Sequence, residues 1–228
     1  MDASQLLLDT RTLQRLAGSF GSNPAGLFED EGGRRFYVKT LESRAQAHNE
    51  FIAAMLYCLA GVPTLTYIRT RAPDQIATEW LTLEKTHVSR FSESERRQAQ
   101  RWFGVYAWTA NWDVAGFDGD NLGVFNGTVL TLDLGGALEF RAQGDPKGKA
   151  FSSQVGELDT LRHAADNPHA VRLFGDISDD DLRLAIGVVT RIPDERIRKV
   201  IIEHGGSRTL ADKMVARKAD MAGRLAAM

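Results

Sequence analysis

The sequence predicts an α+β chain of two lobes, a small β-rich lobe carrying one helix followed by a mainly helical lobe. Three observations carry that reading. In the first third, short apolar and aromatic runs alternate with glycine clusters, the punctuation of hairpins. From Ser92 onward, apolar residues recur at helical spacing behind capping or acidic residues. Within this second part lies one Asn126-Gly127 pair between apolar runs, a strong hairpin signal. The divide falls near residue 82, giving lobes 1–82 and 83–228 of one domain.

The elements follow in order. Leu13–Ala17 and Ala25–Glu29 are expected as strands joined by a turn through Gly18 to Pro24, and a Gly32-Gly33 turn leads to a strand over Arg34–Thr40. A helix is expected over Ser43–Ala60, with Ile52, Met55, Leu56 and Leu59 in its apolar stripe; Gly61 and Pro63 end it. "TLTYIRT" and "QIATEWL" read as two strands. Ser92 and Glu95 form a capping-box pair opening one helix whose apolar face is Ala99, Trp102, Phe103, Tyr106, Ala107 and Ala110. "LGVFNGTVLTL" is the hairpin. From about Glu157 the chain is mostly helical, with acidic first turns in "SDDDLRLAIGVV" and "PDERIRKVIIEHGG".

Composition narrows the function classes. The 228 residues suit one two-lobed domain or two small ones. A net charge of -2 argues against a general nucleic-acid or membrane-surface binder, and no apolar run is long enough to span a bilayer. The start, "MDASQLLLDT", lacks a basic leader, so a cytoplasmic protein is expected, with export as an effector open to it only by a route without a classical signal peptide. The single Cys58 excludes a disulfide framework and, in its apolar run, is expected as a buried thiol. Five scattered histidines show no ligand spacing.

The chemistry concentrates in "YAWTANWDVAGFDGDNLGV", which gathers Asp113, Asp118, Asp120, Asn111 and Asn121 around Trp108 and Trp112. With Asn126-Gly127 at the turn, Phe125 faces Thr128, Asn121 lies opposite Leu132 and Asp120 opposite Asp133. Asn121 and Asp133 therefore meet at the open end of the hairpin, near Asp113. Such oxygens suit Mg²⁺, which takes one or two carboxylates and leaves other positions to substrate phosphates. Asp118 and Asp120, beside Gly119, read equally well as turn residues. Asp133 ends the apolar run "TVLTLD", a costly place for a carboxylate without a task. In the first lobe, Lys39 closes an alternating strand, and Glu50 lies off the main stripe of the following helix, where it can meet a cation. The tryptophans read as core, and Arg141, Lys147 and Lys149 as a solvated loop.

This succession of Gly-rich hairpin, strand lysine, helix glutamate, strand pair, capped helix, Asp–Asn loop, hairpin and Asp-Leu-Gly resembles the protein-kinase fold from about Leu13 to Gly136. It looks closest to the compact, divergent kinase-like proteins of bacteria and their phages, including minimal effector kinases and HipA-type kinases. The resemblance implies ATP and Mg²⁺ as cofactors. It implies a phosphate-covering loop at Gly18, Gly21, Ser22 and Asn23, and an adenine-side hinge at Thr78, Glu79 and Trp80. Lys39, held by Glu50, would contact the α- and β-phosphates; Asp113 would orient or deprotonate the acceptor hydroxyl; Asn121 and Asp133 would hold the metal.

Departures from the family pattern are specific. Asn111-Trp112-Asp113 stands in place of His-Arg-Asp, and the gap from Asp113 to Asn121 is longer, which leaves Asp118 as a rival. Asp133-Leu134-Gly135 replaces Asp-Phe-Gly. Tyr37 occupies a position where kinases keep a small residue against adenine, and no Ala-Pro-Glu follows Asp133. The expected activity is phosphoryl transfer to a protein serine or threonine hydroxyl. A small-molecule acceptor, AMP transfer on the same fold, and an inactive nucleotide-binding module stand as alternatives, and no feature specifies an oligomeric state.

Overall fold

The computed structural model describes residues 7–18 and 24–228. Its first part is a five-stranded antiparallel sheet of strands β1 (Gln14–Ala17), β2 (Ala25–Glu29), β3 (Arg35–Thr40), β4 (Tyr67–Arg69) and β5 (Gln75–Glu79). They lie in the order β1-β2-β3-β5-β4. Helix α1 (Arg44–Ala60) joins β3 to β4. Ser43 and Gln46 cap it reciprocally, and Gly61 ends it in the left-handed region at φ 80°. Arg35–Thr40 alternates on the sheet: Phe36 and Val38 bury into a small cluster with Ala77, while Tyr37 and Lys39 take the other face. β4 is shorter than "TLTYIRT" suggests, because only Tyr67–Arg69 finds partners on β5.

The capped helix expected from Ser92 is two helices, α2 (Glu93–Arg101) and α3 (Phe103–Trp108), broken at Trp102. The Ser92–Glu95 capping box is formed as expected. Packing explains the break. All of α3 is buried, and Gly104 lies so close to the next layer that a Cβ there would fall 2.2 Å from Ala185 O. That layer is α6 (Asp179–Thr190), preceded by α4 (Glu157–His163) and α5 (Pro168–Phe174), and followed by α7 (Asp194–Glu203) and α8 (Arg208–Ala226). Between α3 and α4 runs the hairpin β6 (Leu122–Phe125) and β7 (Thr128–Thr131). Its register pairs Phe125 with Thr128, and Asn126 and Gly127 both have positive φ, as the expected turn requires.

One large core unites α1, the hairpin and the helices. It buries α1 on most sides, including Gln46, Asn49 and Glu50, so the apolar stripe marks only part of the covered surface. Cys58 is exposed rather than buried: it lies on the open side of the last turn of α1, whose Leu56, Tyr57, Leu59 and Ala60 pack into or against the core. Trp108 is fully buried, while Trp102 and Trp112 pack against the core's edge. Among the described residues no helix is long and apolar enough to cross a membrane.

Candidate active site

Between the sheet and the hairpin lies a cleft of about 950 Å³. Lys39 stands at its centre. Strand alternation turns its side chain away from Phe36 and Val38, and its Nζ donates to Glu50 Oε1 at 2.9 Å and to Asp133 Oδ2 at 2.8 Å. One ammonium thus joins β3, α1 and the segment after β7. Glu50 is 1% exposed, Lys39 13% and Asp133 37%. Burial alone would lower the Lys39 pKa, but Asp133 and Glu50 outweigh it and hold it above its ordinary value. For Glu50, burial wins over Lys39 and its pKa is raised. For Asp133, burial is outweighed by Lys39 and by the Gly135 N–H that reaches Oδ1 at 2.8 Å, so its pKa is lowered.

Asp113 and Asn121 line the cleft next to Asp133. Asn121 Nδ2 donates to Asp113 O at 2.8 Å and to Asp113 Oδ2 at 2.9 Å. Leu132 N donates to Asn121 O at 2.9 Å, so the hairpin register extends one pair beyond β6 and β7 and brings Asn121 beside Asp133. Burial, then the nearby Asp133 carboxylate, push the Asp113 pKa up to about 6; the Asn121 hydrogen bond opposes them. Asp118 is exposed at the lip, next to Phe117, which is 82% exposed.

The long gap between Asp113 and Asn121 is a compact turn. Gly116 N donates to Asp113 O, Gly119 N to Gly116 O, and Val88 N to Gly119 O. Gly116 and Gly119 both have φ 82°, and a Cβ on Gly116 would sit 2.5 Å from Asp120 Oδ1. Glycine at position 116 is therefore a condition of the loop's shape.

The remaining expected residues divide in two groups. Thr78, Glu79 and Trp80 line the other end of the cleft, with Tyr37 beside them; the Tyr37 and Trp80 rings are 6.3 Å apart. Gly18 is exposed beyond β1, and Gly21, Ser22 and Asn23 lie outside the described residues.

Sequence reasoning missed several supports. Asn111 Nδ2 donates to Tyr57 OH at 3.1 Å, fastening the loop before Asp113 to α1. Tyr67 OH donates to Leu132 O at 3.1 Å. Lys147 is not a solvated loop residue. Its Nζ donates to Ala110 O at 2.7 Å, Gly136 O at 2.7 Å and Leu138 O at 3.0 Å, joining the start of the Asp113 loop to the segment after Asp133. Burial lowers its pKa to about 7, with Glu157 opposing. Arg141 and Lys149 are exposed as expected.

The donor set fits a hard divalent cation. With Nδ2 turned to Asp113, Asn121 Oδ1 carries no hydrogen bond among the described residues. Asp133 adds carboxylate oxygens on the same side of the cleft. Two protein donors are what Mg²⁺ commonly takes when phosphates and water complete its sphere. Glu50 Oε2 is buried with no hydrogen-bond partner among the described residues.

No family model and no curated protein matches the chain. Among solved structures it is similar to a Helicobacter pylori proinflammatory kinase, CtkA, at 13% identity and a TM-score of 0.62, over 97% of this chain and 99% of that one. An aminoglycoside phosphotransferase from Alicyclobacillus acidocaldarius aligns at 13% identity over 97% of this chain and 95% of that one, with a TM-score of 0.34. A macrolide 2′-phosphotransferase from Brachybacterium faecium aligns at 13% identity over 96% and 86%, with a TM-score of 0.39. The likeness to CtkA shows that the α+β fold described above is protein-kinase-like.

Proposed function

We propose that this protein-kinase-like chain binds ATP with Mg²⁺ in the cleft and transfers the γ-phosphoryl group to a hydroxyl, that of a protein serine or threonine. The observation that carries the reading is the single ammonium of Lys39 held between Glu50 and Asp133, facing the Asp113–Asn121 pair. Charge of both signs is fixed there before any ligand arrives, which is how electrostatic stabilisation of phosphoryl transfer is achieved. The cation and nucleotide supply the activated phosphoryl group and neutralise its oxygens.

The chain's own residues take the other tasks. Lys39 binds phosphate oxygens, and Glu50 keeps its ammonium aimed into the cleft. Asn121 and Asp133 are the metal's protein donors. Asp113 accepts the proton of the attacking hydroxyl; its half-buried place and its bond to Asn121 favour it over exposed Asp118. A pKa near 6 leaves Asp113 ionised at neutral pH yet more basic than an ordinary carboxylate, as a general base should be. Thr78, Glu79 and Trp80 border the base, and Gly18, Gly21, Ser22 and Asn23 cover the phosphates. The lobes divide near residue 82, between β5 and the Ser92 cap.

A second reading, an inactive nucleotide-binding module, is favoured by one observation: Tyr37 narrows the base end of the cleft beside Trp80. Incubation with Mg²⁺ and ATP labelled at either the α- or the γ-phosphate separates the cases. Label from the γ-phosphate on protein, lost in Asp133→Ala, is the expected result. Label from the α-phosphate indicates AMP transfer, and nucleotide binding without transfer of either label indicates the inactive module.

A further inference from the structure

A second cavity, of about 220 Å³, opens on another face of α1 and shares no lining residue with the cleft. Three guanidinium groups border it, those of Arg44, Arg69 and Arg71, together with the His48 imidazole. Phe51, Ala47 and Ile76 form an apolar floor. Arg71 reaches Asp9 at 3.3 Å, but Asp9 already binds Arg11 at 2.8 Å. Arg44 and Arg69 form no ion pair among the described residues. Arg69 instead lies over the Phe51 ring, 5.6 Å from its centroid, with Nη2 3.4 Å from His48 Nε2. A guanidinium with five donors in a fixed fork is left there with an imidazole and a ring face for company.

We propose that this cavity binds a phosphate monoester, with its dianionic head between Arg44 and Arg69 and its organic body on the apolar floor. Arginine matches tetrahedral oxyanions through paired charge-assisted hydrogen bonds, which suits a dianion better than a single carboxylate. The volume is below the roughly 300 Å³ at which pockets for drug-sized ligands begin, a size that suits a small monoester. Desolvation, then the charges of Arg69 and Arg44, lower the His48 pKa, a sign of the positive field at the site. His48 lies two residues before Glu50 on α1, so a ligand here touches the helix that holds the Lys39 partner.

The test is calorimetric titration at low ionic strength with O-phosphoserine, inorganic phosphate and, as control, serine. Phosphoserine should bind one site per chain saturably and serine should not bind. Inorganic phosphate should bind more weakly, because it lacks a body to rest on the apolar floor. Arg69→Gln and Arg44→Gln should each weaken phosphoserine binding at least about tenfold. Arg44 is exposed in the first turn of α1, so its variant keeps the test decisive if Arg69→Gln does not fold. Absence of saturable binding, or binding undiminished in both variants, overturns the proposal. The titration reads binding alone, so its outcome is independent of whether the cleft transfers phosphate.

Discussion

Replacing Asp113 with asparagine should make the protein inactive and more stable at once. Asp113 is held at a pKa of about 6 against an ordinary 3.8, chiefly by burial and then by Asp133. At full ionisation that difference corresponds to at most about 3 kcal/mol against the folded state. The direction follows from a raised folded pKa. The favourable contribution is complete below pH 3.8, and it is lost as pH rises through about 6. The new side-chain amide oxygen would still accept the hydrogen bond that Asn121 Nδ2 now gives to Asp113 Oδ2, so the variant removes charge and little geometry. For a chain of this size each kcal/mol moves Tm by about 2–4 °C. Scanning calorimetry of Asp113→Asn and wild type at pH 8 should show a variant several degrees more stable. At pH 5 the gain should fall to about half, because folded Asp113 is by then mostly protonated while the unfolded chain's remains ionised. An equal or lower Tm at pH 8, or the same increment at both pH values, would refute the placement of Asp113 in a half-buried site beside a second carboxylate.

Further tests bear on other parts of the site. Lys39→Met should abolish transfer and cost about 3 kcal/mol or more in urea unfolding, because it leaves Glu50 buried opposite Asp133 without a cation; adding Glu50→Gln should restore much of the stability and none of the activity. Lys147→Met should cost about 3 kcal/mol by stranding three carbonyls, and should lower kcat more than it changes nucleotide affinity, because Lys147 touches the Asp113 loop and not the base end. Gly116→Ala should sharply reduce turnover, measured alongside circular dichroism to confirm the fold, because the new Cβ meets Asp120 and the backbone before Asn121.

The parts of this structure legible in sequence are those fixed by local rules. The Asn126-Gly127 turn sets the hairpin register, and that register brings Asn121 to Asp133 across the open end. The alternation of Arg35–Thr40 determines which face Lys39 takes, and Ser92 with Glu95 marks where α2 begins. What was hidden depends on tertiary contact. Trp102 breaks a helix whose apolar period continues across the break, because α3 sits against α6 where only Gly104 fits. Lys147 stands among Gly, Asp, Pro and Lys, the composition of a solvated loop, and its three acceptors come from positions 110, 136 and 138. Cys58 shows the converse, an apolar neighbourhood in sequence that the fold leaves open.

These hidden contacts share one logic. From Leu134 to Gly156 the chain forms no long element, so hydrogen-bond ladders cannot give it a shape. Turn bonds such as Lys147 N to Glu139 O, and the bonds of Asn49 to Ala137 O and Glu139 N, give part of its form, and two basic side chains outside the cleft tie down its ends. Lys147 draws Gly136 and Leu138 to Ala110, at the start of the Asp113 loop. Arg217, fully buried on α8, donates to Ala107 O and Trp108 O at the end of α3, to Ser152 O and Gln154 O, and to Glu157 Oε2 at 2.8 Å. Lys147 fixes the near end of the segment and Arg217 its far end, both against the helix and loop that lead into Asp113. The relative position of Asp113 and Asp133 therefore depends on basic side chains that touch neither of them through a hydrogen bond. Sensitivity of activity to substitution should extend along this polar frame as far as α8.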